Sequence, residues 1–155
     1  MIHSAPPASR IVIVSPVTHS SEALSNLWSS ALAEAARKRG GPALLATVRG
    51  EVPEEQLLDH LIASNCLWSA SDGDDAVGFA LCRDRVVEAL YVDRHHRRQG
   101  IARLMLNELC ASSCSPLDAY ALPGDRAMKS IYESIGWKAR LLTMRGEPAG
   151  GEARE

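Results

Sequence analysis

Arg97-Arg98-Gln99-Gly100-Ile101-Ala102, preceded by Asp93-Arg94-His95-His96 and followed by Arg103, are the residues most able to do chemistry. A polar, basic loop here runs into a segment with helical spacing. The first amides of a helix lack intrahelical acceptors, and the helix dipole places partial positive charge at that end. Gly100 removes a side chain where an anion would meet the backbone, and Ala102 keeps the next approach clear. Arg94, Arg97, Arg98 and Arg103 add charge complementarity. The chemistry that this pattern fits is diphosphate binding. The alternative is an ordinary basic loop-to-helix entry on a solvated face.

The preceding segment, Val86-Val87-Glu88-Ala89-Leu90-Tyr91-Val92, is a strand that is apolar apart from Glu88. Alternation puts Val86, Leu90 and Val92 on one side and Val87, Ala89 and Tyr91 on the other, so the strand is expected to be central and covered on both faces. A carboxylate within it is costly unless a polar cavity or a partner meets it. Glu88 is therefore a candidate general base, or else a structural partner of Arg83 or Arg85.

The surrounding elements must position these residues. Arg10 to Val14 reads as a first strand. Ser20 or Ser21 caps a helix carrying Leu24, Leu27, Trp28, Ala31, Leu32 and Ala35 up to Lys38-Arg39-Gly40-Gly41. Pro53-Glu54-Glu55 opens a second helix with Leu57, Leu58, Leu61 and Ile62 on one face. Cys66 to Ala70, Ala76 to Cys82 and Val86 to Val92 read as consecutive strands, turned at Asp72-Gly73 and Arg83-Asp84-Arg85. The helical period returns with Ile101, Leu104, Met105 and Leu109. A strand near Leu117 to Leu122, a helix opened by Pro123-Gly124-Asp125 with Met128, Ile131 and Ile135 inward, and a final strand from Trp137 to Met144 complete the order. The sum is a mixed α/β (α+β) fold, a sheet with helices packed on it.

The 155 residues, 46% hydrophobic and 23% charged, suit one soluble domain over 1–155, with 1–9 and 146–155 expected to be flexible. A net charge of -2 argues against a general polyanion binder. No apolar run approaches the roughly 18 residues of a membrane span, and Met1 to Pro7 has no signal-peptide character. Cys66, Cys82, Cys110 and Cys114 form no paired framework, which points to free thiols in a reducing cytoplasm. No metal site is expected: Cys110 and Cys114 lack histidines at matching spacing, and adjacent His95 and His96 read as solvated loop.

Arg97-x-x-Gly100-x-Ala102 resembles the acetyl-coenzyme-A-binding motif of the GNAT superfamily of N-acetyltransferases, Gln/Arg-x-x-Gly-x-Gly/Ala. Ile131-Tyr132-Glu133-Ser134-Ile135-Gly136-Trp137 is similar to that superfamily's later Tyr-x-x-x-Gly-aromatic ending. The resemblance implies a mostly antiparallel sheet of six to seven strands flanked by about four helices. It implies acetyl-coenzyme A as acyl donor, no metal, and transfer to an amine by direct attack in a ternary complex. Backbone groups of Leu90 and Val92 would hydrogen-bond the pantetheine arm like an added strand. The turn Arg97, Arg98, Gln99, Gly100, Ile101, Ala102 and Arg103 would hold the pyrophosphate. Glu88 would be the general base and Tyr132 the general acid for the leaving thiolate. The sequence departs from the superfamily's usual pattern at Asp125, where Asn often stands, and at Met128, where a small residue is usual; a carboxylate there would repel phosphates.

The acceptor is an amine on a small molecule or a protein, and the sequence does not say which. A catalytically silent coenzyme-A-binding sensor is the second reading. A nucleic-acid patch over Arg94 to Arg103 ranks last, since no aromatic residues beyond the histidines interleave there. Oligomeric state is not readable, and a homodimer stays open.

Overall fold

In the computed structural model, which describes residues 11–149, β1 (Val12–Pro16), β2 (Leu67–Asp72), β3 (Asp75–Arg83) and β4 (Val86–Val92) are antiparallel neighbours in that order. β5 (Asp118–Ala119) joins β4 in parallel and closes the sheet at five strands. Asp84 and Arg85 both take left-handed φ values, 52° and 63°, in the two-residue turn between Arg83 and Val86. That conformation matches strand twist and makes a tight hairpin.

Helices cover both faces. On one, α1 (Glu22–Arg37), α2 (Gly41–Arg49) and α3 (Glu54–Ala63) set Leu24, Leu27, Val48, Leu57 and Leu61 against Leu67, Phe79 and Leu81 of the strands. Ser21 caps α1, its hydroxyl accepting from the Leu24 amide at 3.1 Å. On the other face, α4 (Ile101–Ala111) and α5 (Arg126–Ser134) bury Ile101, Met105, Leu106 and Tyr132 against Val77, Ala80, Val87 and Leu90. A Cβ on Gly78 would stand 2.9 Å from the Tyr91 carbonyl oxygen and 3.0 Å from Met105 Cε. Glycine at that mid-strand position lets α4 settle directly on β3.

The mixed α/β class and the largely antiparallel sheet are as expected, but the element count is corrected. The described residues hold five strands, where six to seven were expected, and five α-helices, where about four were expected. Residues 137–144 form no strand; Leu141, Leu142 and Met144 are 86%, 76% and 85% exposed. A strand exists only through a partner's hydrogen bonds. β5, expected from Leu117 to Leu122, is two residues long and offers no ladder for another strand. α2 was not anticipated; Pro42 stands in its first turn, a start signal that its neighbouring glycines obscured. Arg10, the expected start of β1, lies outside the described residues, as do 1–9 and 150–155.

Candidate active site

β4 carries an irregularity where the chemistry is expected. Leu81 pairs with Ala89 and Cys82 with Val87, so Glu88 is the extra residue of a β-bulge. The bulge breaks simple alternation. Val87 packs with Leu90 against α4 and α5, while Ala89 and Tyr91 pack on the opposite face, which corrects the expected grouping of Val87 with Ala89 and Tyr91. Glu88 is buried, at 7% exposure, and its carboxylate meets Arg83: Nη2 donates to Oε1 at 3.0 Å and lies 2.9 Å from Oε2. The second contact lacks hydrogen-bond geometry, and Oε2 is a buried oxygen with no hydrogen-bond partner among the described residues. Arg83, the last residue of β3, also donates to the Val48 carbonyl at 3.1 Å, tying α2 to that strand.

β4 and β5 part immediately beyond the bulge. Their pairing comprises Val86 with Asp118 and Val87 with Ala119, followed by a Tyr120 amide bond to the Val87 carbonyl at 3.0 Å. The Val92 carbonyl accepts a side-chain bond instead, from Arg97 Nε at 2.9 Å. Leu90, two residues earlier, presents its backbone along the same edge.

After a 3₁₀ turn at Arg94–His96, Gly100 takes φ 79° and caps α4. The first intrahelical bond is Leu104 N to Gly100 O at 3.0 Å, so the amides of Ile101, Ala102 and Arg103 have no partner from within the helix. Nothing stands within 4 Å of a Cβ on Gly100. The side chains of the motif are less uniform. Ile101 is buried and Ala102 packs beside it, so only their backbone is free to meet a ligand. Arg94, Arg98 and Gln99 are exposed, and Arg103 donates to Ser134 Oγ at 3.0 Å. Arg97 binds Glu34 at 2.8 Å and lies 5.5 Å over the Tyr91 ring. Its bond to Glu34 raises its pKa further above the ordinary range. Asp93 accepts from the His95 amide and from His96 Nδ1, which absorbs the histidines into the loop.

Tyr132 is buried on α5 and stacks on Trp137, with ring centroids 5.3 Å apart. Burial, helped by the Asp125 charge, holds its phenol well above the ordinary range. Asp125 caps α5 by accepting from the Met128 amide at 3.1 Å and pairs with Lys38 at 3.0 Å. Burial pushes the Asp125 carboxyl up, but the Met128 amide and the Lys38 ammonium outweigh it and hold the group below its usual value. Glu34 behaves alike: burial opposes, while Arg97 and Lys38 prevail and lower it. Lys38 lies 3.5 Å from Glu34, so a chain of charges, Arg97–Glu34–Lys38–Asp125, links the β4–α4 loop, α1 and the start of α5. Lys38 answers the charge that Asp125 brings to this position.

These elements line a cavity of about 100 Å³, partly open to solvent, between α1, α2, β4 and α5. Glu88, Leu90 and Tyr132 all line it, so a candidate acid and a candidate base far apart in sequence share one space. Tyr120 lines it too. Sequence reasoning missed Glu34 and Lys38 at its mouth. Their spacing of four on α1 was a readable signal, but of a surface helix pair. Among the described residues no group of three or more His, Cys, Asp or Glu is placed to hold a metal.

A mixed sheet with one parallel strand pair and helices on both faces defines an α/β domain. Residues 63–139 match the family model of the acetyltransferase (GNAT) domain, and the chain carries a GNAT domain, as its two motifs suggested. No curated protein matches it by sequence. Among solved structures, a ribosomal-protein-alanine N-acetyltransferase from Brucella melitensis biovar Abortus 2308 superposes with a TM-score of 0.60 at 19% identity, over 88% of this chain and 98% of the other. The aminoglycoside N-acetyltransferase AAC(6')-Iy in complex with CoA gives 0.59 at 12% identity, over 94% and 99%. The GNAT family protein SP0256 from Streptococcus pneumoniae TIGR4 gives 0.58 at 18%, over 88% and 100%. These likenesses concern the fold.

Proposed function

We propose that the chain is an N-acetyltransferase that moves an acetyl group from acetyl-coenzyme A to a primary amine. The observation that carries this reading is the parting of β4 from β5 beside the unpartnered amides of α4, with Glu88 and Tyr132 on the cavity between. Amides of Ile101 to Arg103 receive the pyrophosphate, helped by the exposed Arg98. Leu90 and Val92 offer backbone bonds to the pantetheine arm, which takes the Val92 carbonyl from Arg97.

Glu88 Oε2, buried and without a hydrogen-bond donor among the described residues, accepts a proton from the amine directly or through water. An alkylammonium of pKa about 10.4 is otherwise mostly charged at pH 7. Tyr132, kept protonated by burial, donates to the sulfur as the carbon–sulfur bond breaks. A thiol of pKa about 8.5 needs little more than this.

Glu88→Gln keeps the size of the side chain and removes the base. Its kcat is expected to fall by about 100-fold or more, with coenzyme A affinity within about twofold of wild type. Steady-state kinetics with mass-spectrometric detection of the acetylated amine, together with calorimetry, measure both. An unchanged kcat and pH profile would assign proton removal to water. The Arg83 ion pair favours a second reading, in which Glu88 is structural and the domain binds coenzyme A without turnover. Coenzyme A binding without acetylation of any amine would establish that one.

A further inference from the structure

Resting on that reading of the cleft, we infer that the acceptor is a small monoamine on an apolar body, aromatic or branched aliphatic, and not a polycation or a peptide. Two independent observations carry this. The first is the wall facing Glu88: Trp28, Leu32, Leu44, Val48, Phe79 and Leu81 line the cavity, with Trp28 and Phe79 in ring contact at 5.3 Å. Its volume of about 100 Å³, partly open to solvent, is near the scale of an apolar cavity of about 150 Å³ that takes up benzene.

The second is the state of the carboxylates. Three border the cavity: Glu34, Glu88 and Asp125. Glu34 is held by Arg97 and Lys38, and Asp125 by Lys38 and the Met128 amide. Glu88 is paired with Arg83, which donates to Oε1 at 3.0 Å and lies 2.9 Å from Oε2 without hydrogen-bond geometry to it. Glu88 Oε2, though within the Arg83 ion pair, has no hydrogen-bond donor among the described residues, and it can receive one N–H. A second ammonium on the acceptor would enter an apolar space beside Lys38 and Arg83 with no free counter-charge. A peptide would bury amide groups without partners. A hydrocarbon or aromatic body meets the wall without either cost.

In the transfer, the neutral amine nitrogen bonds to the thioester carbonyl carbon and the carbon–sulfur bond breaks. The proton shed by nitrogen passes to Glu88, Tyr132 gives its phenolic proton to the departing sulfur, and the proton on Glu88 returns to the phenolate through solvent, so both groups are restored. The products are one amide and one thiol.

The test uses the full chain with acetyl-coenzyme A and five acceptors: 2-phenylethylamine, isoamylamine, spermidine, kanamycin and an alanine-initiated tetrapeptide. N-acetyl products are quantified by mass spectrometry. The kcat/KM for the two monoamines is expected to exceed that of the other three by about 100-fold. Leu32→Asp, which adds a carboxylate to the apolar wall, is expected to narrow that ratio by about tenfold or more. A polycation or the peptide as best acceptor, or equal rates throughout, overturns the inference. Calorimetric titration of the same amines into the coenzyme-A-saturated chain separates the two layers of argument. Monoamine binding without turnover removes the transferase reading and keeps the acceptor class. Kanamycin or spermidine binding in preference to the monoamines, or no monoamine binding, removes the acceptor class.

Discussion

Glu88 and Tyr132 border one cavity from different elements, and each is set by what surrounds it. Arg83 lets a carboxylate reside in an apolar strand, and one of its oxygens has no hydrogen-bond donor among the described residues. Tyr132 is held neutral by burial, and that makes it informative in two ways. Tyr132→Phe should lower kcat by about tenfold or more while coenzyme A affinity changes little, since the hydroxyl is needed as sulfur leaves. The same variant tests the titration. A phenol raised by folding contributes stability that is full below the unfolded value of about 10 and is lost as pH rises through the folded value. Wild-type protein should therefore lose urea stability above about pH 10, and the Phe variant should lose less between pH 8 and 11. Tyr91, also raised by burial and the Glu34 charge, leaves a residual slope. Equal slopes and equal kcat would reduce Tyr132 to packing.

At the scale of elements, what the sequence disclosed follows from how local each signal is. β4 was legible to its ends because a run of β-branched and apolar residues, interrupted by Glu88 alone, needs no partner to be recognised. α4 was legible from a glycine followed by helical spacing. The facing of β4 was not, because a single extra residue at Glu88 reverses alternation and leaves no mark in composition. The strand expected over residues 137–144 was over-read: its apolar residues fit a pattern that only a neighbouring ladder could realise. Glu34 and Lys38 were invisible as site residues because their importance lies in contacts with Arg97 and Asp125, remote in sequence. The seating of α4 on the sheet depends on Gly78, and Gly78→Ala tests it. The added methyl meets a backbone oxygen at 2.9 Å, which cannot retreat as a flexible side chain could. Overpacking of this kind should cost about 1–3 kcal/mol, seen as a lower urea midpoint with an unchanged slope. A neutral result would show that α4 sits looser on β3 than described.

Across the whole molecule, one sheet separates two apolar clusters, and the cleft opens where that sheet is incomplete, at the divergence of β4 and β5. The chain's net charge of -2 gives no general attraction for anions, so phosphate affinity rests on oriented amides and local arginines. The central claim is that coenzyme A lies in that divergence. Titrating coenzyme A into the isotopically labelled chain and following backbone amide resonances tests it residue by residue. Coenzyme A bound there should give saturable shifts at Leu90, at Val92 and from Gly100 to Arg103, with the Arg97 side chain leaving Glu34. Absence of shifts at saturating coenzyme A, or shifts confined to the far edge of the sheet around Ile11 and Ile13, would contradict it.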